Sequence, residues 1–499
     1  MRKLALVVAG VVPVAAHAGV LFVGEVGPQA QERGGAFVAK ADDPTALFLN
    51  PAGLMKARRG EVFLGSNLIA YSLTVQRSGV YKDQPLRDPR PAYIGQPYQE
   101  MKNDSGPQPT PAIAATWHFD GLPLAIGLGV YAPPAFPNRD FKCTVDENCV
   151  TGPNGAPSPV RYDVVNQEAI IILPSVGVAY RVLPEVDVGA RFSIGVGKVK
   201  GRSFLWGTPN SEEDVTKDGD FSIDVTDSLV PQVQLGVLVR PMPALELGAQ
   251  WTSGLTIDGK GHGEARLGAN VSPFGQAMLV PVDDVDALCA PGGTASQLSA
   301  CATTKIPMFA TLGGRYIFRD DDGAEEADIE LDLRWENWSS AKDTLVIVDG
   351  KDDTIGLRIQ PSYIRHGFKD VFAARLGGHY QIPVGSDRLH FMGGLSFDSA
   401  GAPVSWTRAD MDGKERFTLA LGVAYELSWL RIDLGGGVVI EPERTVTDVP
   451  LADTSPGNRQ QPDPVQPAFP AADQTYSPMN AGTYTSSYFL ASLGITAKF

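Results

Sequence analysis

The chain has 499 residues, with 57 acidic and 42 basic side chains and a formal net charge of −15 at pH 7. This acidic balance argues against a nucleic-acid partner, because a phosphate backbone attracts clustered cations. No stretch approaches the roughly 20 apolar residues of a membrane-spanning helix, whereas 54 glycines favour a sheet protein with many turns.

Residues 1–18 have the pattern of a secretory signal peptide. Arg2-Lys3 gives a basic start, residues 4–16 form an apolar core, and Ala16-His17-Ala18 is a small-x-small cleavage site. The apolar core is too short to cross a membrane. The sequence therefore predicts an exported mature chain.

Residues 19–60 lack the alternation found later in the chain and predict a small hatch. Asp43-Pro44 and Asn50-Pro51 each pair a helix-capping side chain with proline at the first helical position. Arg33-Gly34-Gly35 allows a sharp bend. A short helical leader packed anywhere is the simpler interpretation. We favour a hatch inside a lumen, because an apolar segment of this length would not stay unpacked.

The stretch 186–197 alternates strictly between two kinds of side chain. Valine, alanine, phenylalanine and isoleucine occupy its even positions, while Asp187, Arg191, Ser193 and glycines occupy the odd ones. The carboxyl-terminal stretch from Phe489 to Phe499 repeats the pattern. A closed barrel in lipid requires this arrangement, because every backbone group must be paired while one face meets hydrocarbon.

Fourteen alternating segments follow residue 60. They lie near 61–75, 112–119, 122–131, 166–180, 185–199, 222–240, 243–257, 306–319, 326–337, 369–382, 388–398, 415–427, 429–441 and 485–499. Each is about as long as a tilted membrane strand of ~9–11 residues.

The connections between these segments alternate in length. Short turns lie at 120–121, 181–184, 241–242, 320–325, 383–387 and 428. Long connections lie at 76–111, 132–165, 200–221, 258–305, 338–368, 399–414 and 442–484. Together they predict an all-β fold in which residues 61–499 form a transmembrane antiparallel β-barrel of about fourteen strands, with the short turns at the periplasmic rim. A β-propeller is disfavoured because no blade repeat is present.

The four cysteines suggest disulfides in an oxidising compartment. Sequence alone permits three connectivities, of which the local pairs Cys143–Cys149 and Cys289–Cys301 are the simplest. Zinc is a weak alternative, because neither pair has CxxC spacing or a nearby histidine.

Strand phase places several ionisable side chains in the lumen. They are Asp187, Arg191, Arg315, Asp332, Arg334, Glu336, Arg375 and His379. A ladder of cross-strand ion pairs is the simpler interpretation. In the functional alternative, one or two arginines stay partly unpaired and hold a ligand carboxylate. The candidates are Arg191, Arg315 and Arg375.

Motifs for catalysis are absent from the sequence. No GxSxG, HExxH or Walker pattern occurs, and strand phase turns His118 into the lumen rather than toward lipid. The acidic clusters at 283–286 and 320–322 are interpreted as solvated loop charge, with calcium binding as the alternative. We therefore expect neither an enzyme nor a cofactor or resident metal.

The chain resembles the FadL/TodX family of outer-membrane transporters for hydrophobic compounds. The resemblance rests first on GGAFVAKADDPTALFLNPAGL at 34–54, which includes Asn50-Pro51-Ala52. Shorter matches follow in the family's order: 127–133, 335–339, 368–380, 397–398 and 402–404. The family's fold is a fourteen-stranded barrel with an amino-terminal hatch.

The resemblance implies passive uptake of hydrophobic small molecules, with long-chain fatty acids as the first expectation and aromatic hydrocarbons as the alternative. It implies a hatch that rearranges, with Arg33, Gly34, Gly35, Asn50, Pro51 and Ala52 as candidate gating residues. It also implies a kink in the third strand that opens the wall sideways. Gly127, Gly129 and Pro133 are the candidates there, since glycine tolerates a broken ladder.

Two other functions remain open from the sequence alone. A surface or adhesive protein could use the barrel as an anchor for its Pro-rich loops, and a non-selective porin would lack the hatch at 19–60. The expected partners are a hydrophobic substrate, outer-membrane lipid and lipopolysaccharide, and the expected state is a monomer.

Overall fold

The computed structural model describes residues 20–57, 60–81, 90–134, 138–142, 155–205, 215–268, 278–289, 293–294, 296–341, 343–353, 356, 358–447 and 480–499. Residues 1–19 lie outside this part of the chain, so the signal peptide stays a prediction. Cys143 and Cys149 also lie outside it, and their pairing awaits peptide mapping without reduction. Among the described residues, no helix has the length and apolarity needed to cross a membrane.

Fourteen strands form the wall of a closed antiparallel barrel in the described chain. They are β1 (Gly60–Arg77), β2 (Gln108–His118), β3 (Leu124–Tyr131), β4 (Asn166–Leu183), β5 (Val186–Leu205), β6 (Gly219–Met242), β7 (Leu245–Thr252), β8 (Phe309–Arg319), β9 (Glu325–Glu336), β10 (Val371–Val384), β11 (Asp387–Asp398), β12 (Arg416–Glu426), β13 (Leu430–Val446) and β14 (Gly482–Lys498).

Each wall strand pairs with its neighbours in sequence, and β1 closes the barrel by pairing with β14. That last ladder runs without interruption from Glu61 opposite Lys498 to Arg77 opposite Gly482. Closure removes both sheet edges, which a barrel in lipid requires. The predicted fourteen-stranded fold is confirmed.

The alternation of side chains has the predicted sense. On β5, Phe192, Ile194 and Val196 are each 44–45% exposed on the outer face, where lipid would cover them, whereas Arg191 and Ser193 are 1% exposed. All eight ionisable residues predicted to face the lumen are at most 7% exposed. Their burial shows that the lumen is occupied.

One predicted wall segment is interrupted in the structure, and the ends of several others differ by a few residues. The predicted segment 243–257 is two strands, because β7 ends at Thr252 and a new strand begins at Leu255. The predicted long connections 258–305 and 338–368 also contain strands: Leu255–Arg266, Leu279–Pro281, Leu298–Ile306, Asp343–Val348, Gly350–Asp352 and Ser362–Arg365. Two shorter strands, Met101–Lys102 and Arg139–Asp140, lie elsewhere in the outer connections.

Four of these strands extend the sheet beyond the barrel. Leu255–Arg266 pairs with the first part of β6 and with Leu298–Ile306, which pairs with Asp343–Val348, and that strand pairs with Ser362–Arg365. A disulfide joins Cys289 to Cys301 within this extension, with Cα atoms 5.4 Å apart.

Residues 20–57, hereafter the N-terminal segment, pack inside the barrel. They contain α1 (Pro28–Glu32), α2 (Ala46–Leu49) and the 3-10 turn Pro51–Met55. Further 3-10 turns lie in the outer connections at Asp284–Asp286, Trp338–Ser340 and Val404–Trp406. The helix start predicted at Asn50-Pro51 is the start of the 3-10 turn, while α2 starts two residues after Pro44, and α1 was not predicted.

Candidate functional site

Arg33 fixes the bend of the N-terminal segment to one wall strand. Its guanidinium lies 2.7 Å from Asp328 and 3.0 Å from Glu330, both on β9, and donates a hydrogen bond of 2.9 Å to the Ala36 carbonyl oxygen. The three charged side chains of this cluster are 0% exposed. A buried ion pair with additional hydrogen bonds tolerates the loss of neither partner, because the remaining charge would lack compensation.

The same strand also binds the backbone of the segment. Asp332 accepts hydrogen bonds from the Phe37 and Val38 N–H groups at 2.9 and 3.0 Å, and Glu330 accepts one from Ala39 at 2.7 Å. Residues two apart on a strand point to the same face. β9 therefore presents a row of lumen carboxylates to an irregular backbone whose N–H groups have no secondary-structure partner.

The predicted sharp bend is present at Gly34 and Gly35. Their φ angles are +63° and +89°, a region that other residues rarely adopt. Close packing also excludes a side chain, since an added methyl group would lie 2.8 Å from the Leu395 nitrogen at Gly34 and 2.9 Å from the Arg375 Cδ at Gly35.

Asn50 joins three parts of the molecule. Its Oδ1 accepts a hydrogen bond of 3.2 Å from the Ala52 N–H at the start of the 3-10 turn, as the capping prediction requires. Its Nδ2 donates to the carbonyl oxygens of Val38 at 2.7 Å and Val237 at 3.3 Å. Asn50-Pro51-Ala52 is therefore a contact of the segment with itself and with β6.

Lumen-facing glycines on eleven wall strands surround the N-terminal segment. At each of them an added methyl group would lie within 3.1 Å of an atom of the segment. This glycine belt comprises Gly127, Gly129, Gly177, Gly189, Gly236, Gly248, Gly313, Gly377, Gly394, Gly422, Gly435 and Gly494. The wall and the segment therefore fit closely at this level.

An apolar cavity lies between the segment and the wall, on the side of the long connections. Its apolar lining includes the aromatic residues Phe22, Phe37, Phe48, Tyr131 and Phe309. Its polar lining includes Glu25, Gln232, Gln250, Thr311, Asp332, Arg334 and Arg375. This composition suits a mostly hydrophobic ligand that is oriented by a few polar contacts.

The wall beside this cavity is interrupted after β3. The ladder between β3 and β4 is regular through Gly127 and Gly129, ends at Tyr131 opposite Leu173, and resumes in the described residues at Arg139 opposite Gln167. Pro133 and Pro134, which cannot donate to a ladder, line the cavity at this interruption.

Two of the three predicted carboxylate-binding arginines already have carboxylate partners. Arg315 lies 2.8 Å from both Glu246 and Asp328 and also contacts Glu325. Arg375 contacts Glu25 of the N-terminal segment.

Arg191 differs from both. It is 1% exposed, and its Nε and Nη1 atoms have no hydrogen-bond partner in the described part of the chain. Its Nη2 donates a hydrogen bond of 2.6 Å to Gln232 Oε1, and its guanidinium lies 5.1 Å from the Tyr131 ring centre. Gln232 and Tyr131 both line the apolar cavity. Asp187, on the same strand, already pairs with Arg181 and Arg240, each at 2.8 Å.

A second cavity lies on the other side of the segment, at the short-turn rim. Charged and imidazole side chains line it: Lys40, Asp42, Asp43, Lys56, Glu61, Glu325, His379, Arg388, His390, Glu426, Arg431 and Lys498. His379 and His390 share a hydrogen bond of 2.8 Å, and His390 lies 3.1 Å from Glu426. We call it the charged cavity.

Three buried carboxyls of the segment have shifted pKa values, and Asp42 and Asp43 line the charged cavity. Burial opposes the ionisation of Asp42, yet Lys40, Lys56 and Arg315 hold its pKa well below the usual range. Burial raises the pKa of Asp43 to about 6. Burial and the charge of Asp433 raise the pKa of Glu32 to about 9, so Glu32 is neutral at pH 7.

Glu325, Asp328 and His379 bring potential metal-ligand atoms within 4.8 Å of one another. Arg33 and Arg315 already bind Asp328, and Arg315 also contacts Glu325. These two guanidiniums would repel a metal ion, so we assign no metal site to the three residues.

Sequence reasoning missed Asp328, Glu330, Glu25 and Gln232. The first two were within its reach, since they share the phase of Asp332, which was predicted to face the lumen. Glu25 had no signal, because it precedes the first helix of an irregular segment.

Comparison with known proteins supplies the family. The family described as outer membrane protein transport protein (OMPP1/FadL/TodX) matches residues 16–462. No curated protein matches the chain in sequence.

Solved structures share the fold. A Pseudomonas aeruginosa FadL homologue is 16% identical, with a TM-score of 0.69 over 96% of this chain and 100% of its own. The Pseudomonas putida toluene transporter TodX is 14% identical, with a TM-score of 0.62 over 95% and 99%. The Ralstonia pickettii toluene transporter TbuX is 15% identical, with a TM-score of 0.60 over 95% and 98%. With the family match over most of its length, the chain belongs to the FadL/TodX family of outer-membrane transport proteins, which are passive channels for hydrophobic compounds rather than enzymes.

Proposed function

We propose that this protein takes up hydrophobic carboxylic acids, most specifically long-chain fatty acids, across the outer membrane. The observation that carries the proposal is Arg191, a buried guanidinium beside an apolar cavity with two nitrogens unpaired among the described residues. A buried cation without a carboxylate is costly. A ligand carboxylate would supply the missing charge and acceptors, while the acyl chain would occupy the aromatic-lined cavity.

The alternative substrate class is an aromatic hydrocarbon. The five aromatic residues of the cavity lining favour it, and the names of TodX and TbuX describe toluene transporters. A neutral hydrocarbon, however, would leave Arg191 without a carboxylate. We therefore rank it second.

In the proposed route, the substrate is captured among the outer connections and moves into the apolar cavity. The N-terminal segment acts as the hatch and must rearrange for release. Arg33, Gly34, Gly35 and Asn50-Pro51-Ala52 are its proposed gating residues, because they hold the bend and the contact with β6. The interruption at Pro133 is the proposed site of a sideways opening.

The other functions considered fit less well. A non-selective porin would not fill its lumen with a segment fitted against glycines on eleven strands. A purely adhesive barrel has no use for an apolar cavity inside the wall. We retain a monomer in contact with outer-membrane lipid and lipopolysaccharide as proposals.

The test compares two ligands and two variants in purified protein. Arg191→Gln should weaken oleate binding by about 1.5–3 kcal/mol, the contribution of a hydrogen bond to a charged group, and should leave toluene binding unchanged. Arg240→Gln is the matched control, since Arg240 is a paired arginine that does not line the apolar cavity. Equal losses for both ligands, or none for oleate, would contradict the proposal.

A further inference from the structure

Glu25 is a carboxylate of the protein that occupies the apolar cavity. It lines the cavity, and its Oε1 accepts hydrogen bonds from Arg334 at 3.0 Å and from Arg375. Both arginines also line the cavity, on the neighbouring strands β9 and β10. Two guanidiniums converging on one carboxylate oxygen form an anion-binding site of the kind that arginine provides.

We propose that Arg334 and Arg375 form a carboxylate-binding subsite which Glu25 fills as an internal ligand, and that the carboxylate of a hydrophobic substrate replaces Glu25 there. This inference rests on the proposed function, since it requires a substrate that carries a carboxylate. It differs from the role of Arg191, which can receive a carboxylate without displacing any group.

The exchange preserves the charge of the subsite. Arg334 keeps a wall partner throughout, because its Nε lies 2.8 Å from Glu336. Asp332 is committed to the Phe37 and Val38 N–H groups. One carboxylate leaves and one arrives, so no guanidinium loses compensation at the end of the exchange.

Displacement of Glu25 would loosen the start of the N-terminal segment. Residues 20–26 make few other polar contacts with the described part of the chain. Arg416 donates hydrogen bonds to the Val20 and Phe22 carbonyl oxygens, and Asn67 donates one to the Glu25 carbonyl oxygen. The Glu25 N–H donates to Gln31, and the Val23 N–H donates to the Pro134 carbonyl oxygen at 2.9 Å. The contact with Pro134 lies at the interruption of the wall. A ligand carboxylate can bind the two arginines only when Glu25 has left them. The ligand therefore binds the displaced position of the segment more tightly than the original one, as a ligand-driven change requires.

Neutral ligands lack this effect. A long-chain alcohol can fill the cavity but cannot compensate two guanidiniums, so Glu25 stays in place. The subsite therefore makes the response of the hatch selective for carboxylic acids.

The test uses the full mature protein, oleic acid and the matched neutral ligand oleyl alcohol. Glu25→Gln removes the negative charge of the internal ligand at constant side-chain size, so the arginines hold residue 25 less tightly. The apparent oleate affinity should then rise about tenfold, because displacing residue 25 costs less free energy. Oleyl alcohol affinity should not change. In planar bilayers without ligand, the variant should show higher ion conductance than wild type. Glu185→Gln is the control for the same substitution elsewhere, because Glu185 is an exposed carboxylate of a short turn that lines neither cavity.

A second background separates exchange from general loosening. In Arg375→Gln the gain produced by Glu25→Gln should largely disappear, since half of the subsite is gone. If wild type binds oleate more tightly than oleyl alcohol while Glu25→Gln leaves the oleate affinity unchanged, that result would overturn this inference but not the proposed function. Equal gains for acid and alcohol would also overturn it. A wild type that binds the alcohol as tightly as the acid would contradict the proposed function as well.

Discussion

The two cavities on either side of the N-terminal segment differ in chemistry. The apolar cavity, on the side of the long connections, is lined by aromatic rings with arginines at its edge. The charged cavity, at the short-turn rim, is lined mainly by charged and imidazole side chains. A hydrophobic ligand is stabilised in the first and must displace hydrated charge in the second. The segment therefore separates a binding region from a barrier region.

The comparison predicts the largest effect for removal of the segment. Deleting residues 19–45 should join the two cavities and raise single-channel conductance in planar bilayers, because a fourteen-stranded lumen conducts unless it is filled. The barrel should still assemble, since β1 and β14 close it without residues 19–45. Unchanged conductance together with unchanged uptake would show that the segment is no gate.

Breaking the Arg33 cluster should have the next largest effect. Arg33→Gln leaves Glu330 without a cationic partner among the described residues and leaves Asp328 with Arg315, and loss of one partner of a buried ion pair costs about 3–5 kcal/mol. We expect higher conductance and faster proteolysis of the segment. Arg319→Gln, at an exposed turn, is the control. An equal response in both variants would show that the Arg33 cluster does not control gating.

A pH titration of the N-terminal segment sharpens the comparison. The pKa of Glu32 is raised from 4.5 to about 9 in the folded protein, so the folded state holds its proton more tightly than the unfolded state. The stabilising effect of this proton is complete below about pH 4.5 and is lost as pH rises toward 9.

Conductance of wild type should therefore increase between pH 6 and pH 10. Glu32→Gln cannot ionise, and its profile should be flatter. The difference between the two profiles removes the contributions of Lys56 and Asp43. Identical profiles would show that Glu32 does not hold the segment.

Loss of the Asn50 cap should have the smallest effect. Asn50→Ala removes the hydrogen bond to the Ala52 N–H, a change that costs ~1 kcal/mol, together with the donors to Val38 and Val237. Uptake should change while the thermal unfolding of the barrel does not. Unfolding at a lower temperature would instead make Asn50 a residue of barrel stability.

Most of the wall could be predicted from the sequence, and the reason is physical. Lipid on one face and a filled lumen on the other impose a period of two residues on each strand. The sequence therefore predicts that the side chains of Arg191 and Asp332 face the lumen. The extension strand Leu255–Arg266 was missed because Gly259, Gly261 and Gly263 occupy one of its faces and give no apolar stripe. In the structure, Val225 of β6 fills that space, since an added methyl group at Gly259 would lie 2.8 Å from its Cγ2.

The site was only partly predictable. Strand phase gave lumen arginines but not their partners, because partners depend on which irregular part of the N-terminal segment meets each strand. Arg375 and Arg191 have the same sequence pattern. Glu25 nevertheless binds Arg375, whereas two nitrogens of Arg191 stay unpaired among the described residues. Only the packing of the segment separates them.

The central claim is that a carboxylic acid binds in the apolar cavity with its head group at the lumen arginines. A crystal structure with an ω-bromo fatty acid tests it most directly, because anomalous scattering locates the bromine and ordinary density locates the carboxylate. We predict carboxylate oxygens within hydrogen-bond distance of Arg191 or, after exchange, of Arg334 and Arg375, the first carbons of the acyl chain among Phe22, Phe48 and Phe309, and the bromine farther from these arginines. A head group in the charged cavity, or one directed away from all three arginines, would contradict the account.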